Sequence, residues 1–296
     1  MFKDMQMYLL NTLFLQFVVC VTVSCLKYRL VPNKATSALL CLGPCKYIGQ
    51  AFCSFLFNLM QGAHIGSATS LLLTFHYRYQ LLVKGSVNKS SRKYHIIITY
   101  CVPLFFVVLQ SIAPTDLNVV KAELLFRYPT YDTTNYEIIG YSDNYSLAAI
   151  IYLIMLMIGL YGSPIVAFIF RKRILKILKS RAASRLGRIE QSQSLIHGLT
   201  IQTVLPILFY FPVLIMFSYS TYGSGNSMIL EFLTNPFSYI YTITDPILTI
   251  YFILPYRLAL KKLVKRKWAD KNGGGVKTIF HSETNTVIFT TQIHML

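Results

Sequence analysis

Charge is scarce in this chain, and acidic charge most of all. Of 296 residues, 13% are Asp, Glu, Lys or Arg, with 11 acids against 28 bases. A domain facing water carries about 25% charged residues, so most of this chain does not face water. The sequence also lacks an internal repeat, a Gly/Pro-rich linker that would divide it, and any CxxC pair. HExxH, GxSxG and Walker A patterns are absent, which removes the usual signatures of zinc hydrolysis, serine acyl transfer and phosphate-loop chemistry. No paired carboxylates lie inside the apolar segments. The reading is therefore of a non-enzyme that needs no cofactor and no metal. With no TVGYG-type filter and no regular arginine ladder on an apolar helix, a channel finds no support either.

What is present is hydrophobic length. Apolar residues make up 54% of the chain, gathered into six segments at roughly 8–26, 47–75, 96–113, 147–170, 197–219 and 233–254. A membrane crossing needs about 20 residues. Hydrocarbon offers no partner for backbone polar groups, so such segments must be helices, and the short alternating runs of a β-barrel are missing. The first run, from Tyr8 to Cys25, is longer than a signal-peptide core and no A-x-A-like site follows it, so it reads as a retained helix. The predicted fold class is all-α, a polytopic bundle of six transmembrane helices.

The bases sort by loop. Lys3 and the segments after the second, fourth and sixth helices hold 22 of the 28, and the alternate loops hold only Lys27, Arg29, Lys34, Lys46, Lys121 and Arg127. Basic loops stay in the cytoplasm, which places both termini there. The net charge of +17 is thus a topology signal with affinity for inner-leaflet lipid, and not a nucleic-acid footprint. Residues 256–268 alternate Leu and Val with Lys and Arg, as a surface helix would, and residues 269–296 read as a cytoplasmic tail after a bundle spanning 1–268. Cys25, Cys41 and Cys45 fall near the outer face, where one disulfide among them could form. The sequon at Asn144 lies outside but close to a helix, and the one at Asn88 lies inside.

Polar residues within spans mark surfaces that meet protein or a cavity. The second span is the least apolar, with Asn58, Gln61, His64, Ser67, Thr69 and Ser70, so it belongs at the centre of the bundle. His64 is either a ligand contact or an interhelical histidine with its own partner. Asp245 is the one intramembrane acid, followed by Pro246, which frees a carbonyl. That pair is either a hinge with an ion or hydrogen-bond network, or an Asp bonded to neighbouring hydroxyls. Pro206 and Pro212 kink the fifth helix, as a lever or as fixed shape. Aromatic residues including Tyr152, Phe211, Tyr239 and Tyr241 lie in the outer half of the bundle, a lining suited to a small apolar or amphipathic ligand. Ordinary packing and an interfacial aromatic belt give the same composition.

Four stretches together resemble the nematode serpentine receptor class delta, a family of chemoreceptor-like G-protein-coupled receptors. They are Gly43 to Gly49, Leu72 to Tyr79, Leu199 to Pro206 and Asp245 to Arg257. The resemblance implies a rhodopsin-like seven-helix receptor that binds an external small molecule and moves its cytoplasmic face to engage a heterotrimeric G protein. Arg78 takes the place of the helix-end arginine, with Tyr77 where an acid is usual, so the ionic lock of such receptors is not expected. Asp245-Pro246 resembles the Asn/Asp-Pro element of the last helix, with Tyr251 as its displaced tyrosine. Tyr77, Arg78, Pro206, Asp245, Pro246 and Tyr251 are the switch and G-protein-contact candidates. Asn58, Gln61, His64, Tyr152, Phe211, Tyr239 and Tyr241 are the ligand candidates. The six segments match family helices two to seven, and Met5 to Asn11 looks like the start of family helix two. Absence of a first helix is expected to leave Asp245 facing hydrocarbon, at about 2.5–3.5 kcal/mol, and the chain poorly stable and retained in the cell. The alternative is a polytopic transporter, a scaffold or a non-signalling receptor relative.

Overall fold

The structure is a computed structural model that describes residues 2–32 and 36–182, then 198, 200, 201, 204–215, 219, 236, 237, 240–245, 247, 248, 251 and 262. The chain divides into two compact units, Met1–Ile253 and Leu254–Leu296. The second lies outside the described residues except for Lys262. The expected surface helix at 256–268, the tail, and the division between them lie there too.

The first unit is mostly helical. α1 runs Phe2–Leu26, α2 Gln50–Lys84 and α3 Lys89–Ile112. A short α4 follows at Leu117–Arg127. α5, Leu147–Met157, continues through a π-turn at Ile158–Gly162 into α6, Ser163–Ala182, and α7 covers Val204–Ile215. Each boundary has a local cause. Gly85 ends α2 in the left-handed region (φ 73°), its N–H returning to the Leu81 carbonyl at 3.0 Å. Asn88 caps α3 by accepting from the Ser90 N–H, and Ser146 caps α5 by accepting from the Ala149 N–H. α2 therefore runs past the expected end at 75 and α3 begins before the expected 96, because capping residues rather than the limit of apolar character set those ends.

Two helices among the described residues are long and apolar enough to cross a membrane, Lys89–Ile112 and Leu147–Ile177. Leu10–Leu26 and Val204–Ile215 are shorter apolar helices. α2 is long enough, but its polar residues lower its apolarity. Its burial explains why: from Leu56 to Arg78 most side chains are buried on every face, and α2 packs against α1, α3 and α6. A helix buried all round need not be coated for lipid. α3 shows the opposite, with Ile97, Leu104, Phe105, Val108 and Ile112 exposed along one side. α2 and α3 approach closely at Gly62, where a Cβ would lie 2.4 Å from Val107 Cγ2 and 3.2 Å from the Pro103 carbonyl.

Against the all-helical expectation, the two loops between spans form an antiparallel sheet. β1 is Tyr28–Pro32, β2 Ser37–Cys41 and β3 Glu137–Tyr141, in the order β1-β2-β3. Tyr28 pairs with Cys41 in the first ladder, and Cys41 with Glu137 and Ser37 with Tyr141 in the second. α4 packs on this sheet through Val120 and Leu124 against Val31, Ala38 and Leu40. The result is a small cap with its own apolar core. Because β2 and β3 pair, the segments 27–46 and 114–146 lie at the same end of the bundle, as the charge count requires. Gly140 makes the pairing possible: its φ is +152° and a Cβ there would sit 1.9 Å from the Ser37 carbonyl oxygen. The disulfide is Cys45–Cys53, with Cα atoms 5.2 Å apart. The expected trio supplied only Cys45. Its partner Cys53 lies in the first turn of α2, at the cap end, which the charge pattern leads us to name the outer end, and Cys25 and Cys41 stay free.

Candidate functional site

The interior of the bundle carries three polar clusters at successive levels of α2. From Asn58 to Gln80 the helix rises about 33 Å at 1.5 Å per residue, enough to link one face of a membrane to the other.

The outer cluster lies beneath the cap. β3 ends at Tyr141, whose hydroxyl donates to Asn58 Oδ1 at 3.4 Å, while Asn58 Nδ2 donates to Ser111 Oγ at 3.4 Å. Both bonds are longer than the usual 2.7–3.2 Å range. Tyr152 of α5 stands 5.8 Å from the Tyr141 ring and 5.3 Å from Phe106. Gln110 of α3 is wholly buried with its amide beside both phenols, yet neither Nε2 nor Oε1 completes a well-formed hydrogen bond. Burial, then the neighbouring Tyr152, holds the Tyr141 phenol well above the usual tyrosine pKa, so it stays a neutral donor. The groups named here carry no formal charge and suit a neutral, hydrogen-bonding partner.

The middle cluster joins α1, α2, α7 and the last helical stretch. His64 Nδ1 and the Tyr210 hydroxyl share a hydrogen bond of 3.2 Å, and the Tyr210 and Tyr241 rings pack tilted at 51° with centroids 4.8 Å apart. Gln16 Nε2 donates to Asp245 Oδ2 at 2.7 Å, and Asp245 is 3% exposed. The expectation that Asp245 faces hydrocarbon is therefore corrected: α1 covers it and Gln16 bonds it. Pro206 is buried in α7 close to this level.

The inner cluster is a continuous chain. Ser91 Oγ donates to Gln80 Oε1 at 3.2 Å, and Gln80 Nε2 faces His76 Nε2 at 3.2 Å. His76 Nδ1 meets His95 Nε2 at 3.1 Å, and His95 Nδ1 meets the Tyr8 hydroxyl at 2.7 Å. The Gln80 amide can only donate, so the tautomers follow: His76 carries its proton on Nδ1 and His95 on Nδ1, each donating onward. Tyr8 also packs against Tyr77, the rings tilted by 35° with centroids 4.8 Å apart. Arg78 is 7% exposed, six residues before the end of α2, so it lies inside the bundle and not on its surface.

Of the remaining candidates, Gln61 is half-buried and belongs to none of these clusters among the described residues. Phe211 is 54% exposed, away from the interior. Its neighbour Tyr210 takes the inward position, and one residue turns a helix by about 100°. Tyr251 is 60% exposed. Tyr239 and Pro246 lie outside the described residues. The sequence reading missed Gln16, Gln110, Tyr141 and the pair His76–His95. Gln16 and Gln110 were visible as polar residues in apolar spans. Tyr141 and the histidines carry no signal until their partners are known.

A central helix buried on all faces, a neighbour with an exposed apolar side and polar clusters stacked along the interior are the features of a helical bundle built to sit in a membrane. The comparisons narrow the class. The family model of the serpentine type 7TM GPCR chemoreceptor Srd matches residues 1–262, and the chain belongs to that family. It is similar to serpentine receptor class delta-50 of Caenorhabditis elegans, 41% identical over 292 residues that cover 95% of this chain and 86% of the relative. It is also similar to serpentine receptor class delta-51 of the same organism, 37% identical over 262 residues, covering 88% of this chain and 78% of the relative. This is a family of receptors, not of enzymes.

Proposed function

We propose that this chain is a chemosensory receptor of the plasma membrane that binds a small neutral molecule beneath the outer cap and signals to a cytoplasmic heterotrimeric G protein. The observation that carries the reading is Tyr141: a residue of the cap reaches into the bundle and meets Asn58 of α2 and Tyr152 of α5 through long, replaceable contacts. A ligand that competes for these groups would pull on the cap and on α2 together. α2 continues through His64 to Tyr77, Arg78 and His76, so a shift at its outer end is felt at its inner end. In this reading Asp245 with Pro246, and Pro206, form the joint between the levels, and Arg78 is a buried switch that comes to the surface only in the active form.

The reading also includes six spans with both termini in the cytoplasm. A tag at residue 182 or 290 should be shielded from membrane-impermeant labels in intact cells, and labelling of either would overturn the orientation. For signalling, cells carrying the full chain are challenged with a panel of small neutral volatile and amphipathic compounds. Arg78→Gln should abolish the evoked response at an unchanged surface level. A normal response would remove Arg78 from the mechanism.

A further inference from the structure

Three sulfur atoms converge where the cap meets α2. Cys45, in a 3-10 turn at Pro44–Tyr47, is bonded to Cys53 in the first turn of α2. Cys41, the last residue of β2, carries a free thiol, and its Sγ and those of Cys45 and Cys53 all lie within 4.8 Å of one another. All three residues are buried. The connection between Cys41 and Cys45 is pinned to the end of α1: the Gly43 N–H donates to the Leu26 carbonyl at 2.9 Å, and the Leu42 N–H to the Lys27 carbonyl at 3.3 Å. A Cβ on Gly43 would lie 2.1 Å from the Cys25 carbonyl oxygen, so this approach admits only glycine. The fold itself, and not only the bond, holds the third sulfur beside the other two.

We propose that this cluster is an internal thiol–disulfide exchange site, in which the cross-link migrates from Cys45–Cys53 onto Cys41. The Cys41 thiolate attacks Sγ of Cys45 or Cys53. A new S–S bond forms as the old one breaks, and the leaving sulfur takes the electron pair and a proton in place of the one Cys41 gave up. One disulfide and one thiol exist before and after, so no external oxidant or reductant enters. Attack at Cys53 staples β2 directly to α2 and frees Cys45. Attack at Cys45 closes the link within the cap and releases α2 from it. Either transfer changes how the cap is tethered to the central helix.

The surroundings keep the exchange slow. Burial, and then the carboxylate of Glu137 paired opposite on β3, push the Cys41 thiol up to about 12. Tyr28, paired opposite on β1, and Tyr141 and Cys25 are further titratable side chains of the same apolar cluster, and none of them carries a positive charge. Lys46 reaches instead toward the Asn135 carbonyl at 3.5 Å, and Lys27 is exposed. Below that pKa the thiolate fraction rises tenfold per pH unit, so exchange should accelerate about 100-fold from pH 7 to pH 9. The test uses the full chain in native membranes, incubated at both pH values, quenched in acid, alkylated with N-ethylmaleimide and mapped by mass spectrometry without reduction. Cys41 peptides linked to Cys45 or Cys53 should accumulate, faster at pH 9 and independently of protein concentration. Glu137→Gln should speed the exchange at pH 7 by about threefold for each unit by which the thiol pKa falls, since nucleophilicity falls with pKa. Cys41→Ser should leave Cys45–Cys53 as the one link in the cluster. If Cys41 is recovered wholly alkylated at both pH values, the proposal fails. It fails equally if Cys41 links to Cys20, Cys25 or Cys101 as often as to Cys45 and Cys53.

Discussion

The two ends of α2 satisfy their polar groups in opposite ways. At the outer end Asn58 holds two bonds of 3.4 Å, and the buried amide of Gln110 completes none. At the inner end Tyr8 and His95 meet at 2.7 Å, Thr12 and Ser70 at 2.7 Å, and the chain runs on through His76 and Gln80 to Ser91. A buried polar group that lacks a good partner costs about 1–3 kcal/mol. The outer cluster is therefore where an incoming molecule gains most by supplying donors and acceptors. The groups of the inner cluster already hold partners. In the proposed reading the contrast separates a place to bind from a place to switch.

The largest expected effect comes from breaking the cap that covers the loose end. Gly140→Val puts a side chain where a Cβ already meets the Ser37 carbonyl at 1.9 Å, at a φ of +152°. The backbone strain alone is about 1–3 kcal/mol, and the β2–β3 ladder must open as well. Surface level, followed by flow cytometry of a tagged chain, should fall severely. A normal level would mean that the cap is dispensable to the fold.

Next in size is His95→Leu. It removes one hydrogen-bond partner from the buried Tyr8 hydroxyl and one from the half-buried His76 ring, a loss on the order of 1 kcal/mol for each bond. The thermal midpoint of purified receptor should drop measurably. Asn58→Leu should have the smallest effect on stability, below about 1 kcal/mol, because the bonds it removes are long and Leu is of similar size. Equal drops in the two variants would erase the contrast between the ends.

Much of the bundle was legible in the sequence because composition and periodicity are local. The run Asn58, Gln61, His64, Ser67, Thr69 and Ser70 places α2 at the centre, whereas Gln16 and Gln110 were missed although each is a polar residue in an apolar span. The cap was not legible. β2 and β3 lie roughly a hundred residues apart in the chain, and five-residue strands inside charged loops carry little pattern. Long-range pairings failed for the same reason: nothing near Asp245 names Gln16, 229 residues away, and nothing near Cys45 favours Cys53 over Cys41. Aromatic content marks a span but not its face: Phe211 is exposed, and its neighbour Tyr210 turns inward.

The division between binding and switching is tested most directly by concentration–response curves of the full chain in cells, against any compound of the neutral panel that evokes a signal. Wild type, Asn58→Leu and His95→Leu are compared at matched surface level. Asn58→Leu should shift the midpoint at least about tenfold, equivalent to 1.4 kcal/mol, and keep the maximal response. His95→Leu should leave the midpoint near wild type and change the basal or maximal response. The reverse assignment, or the same change in both variants, would contradict the account.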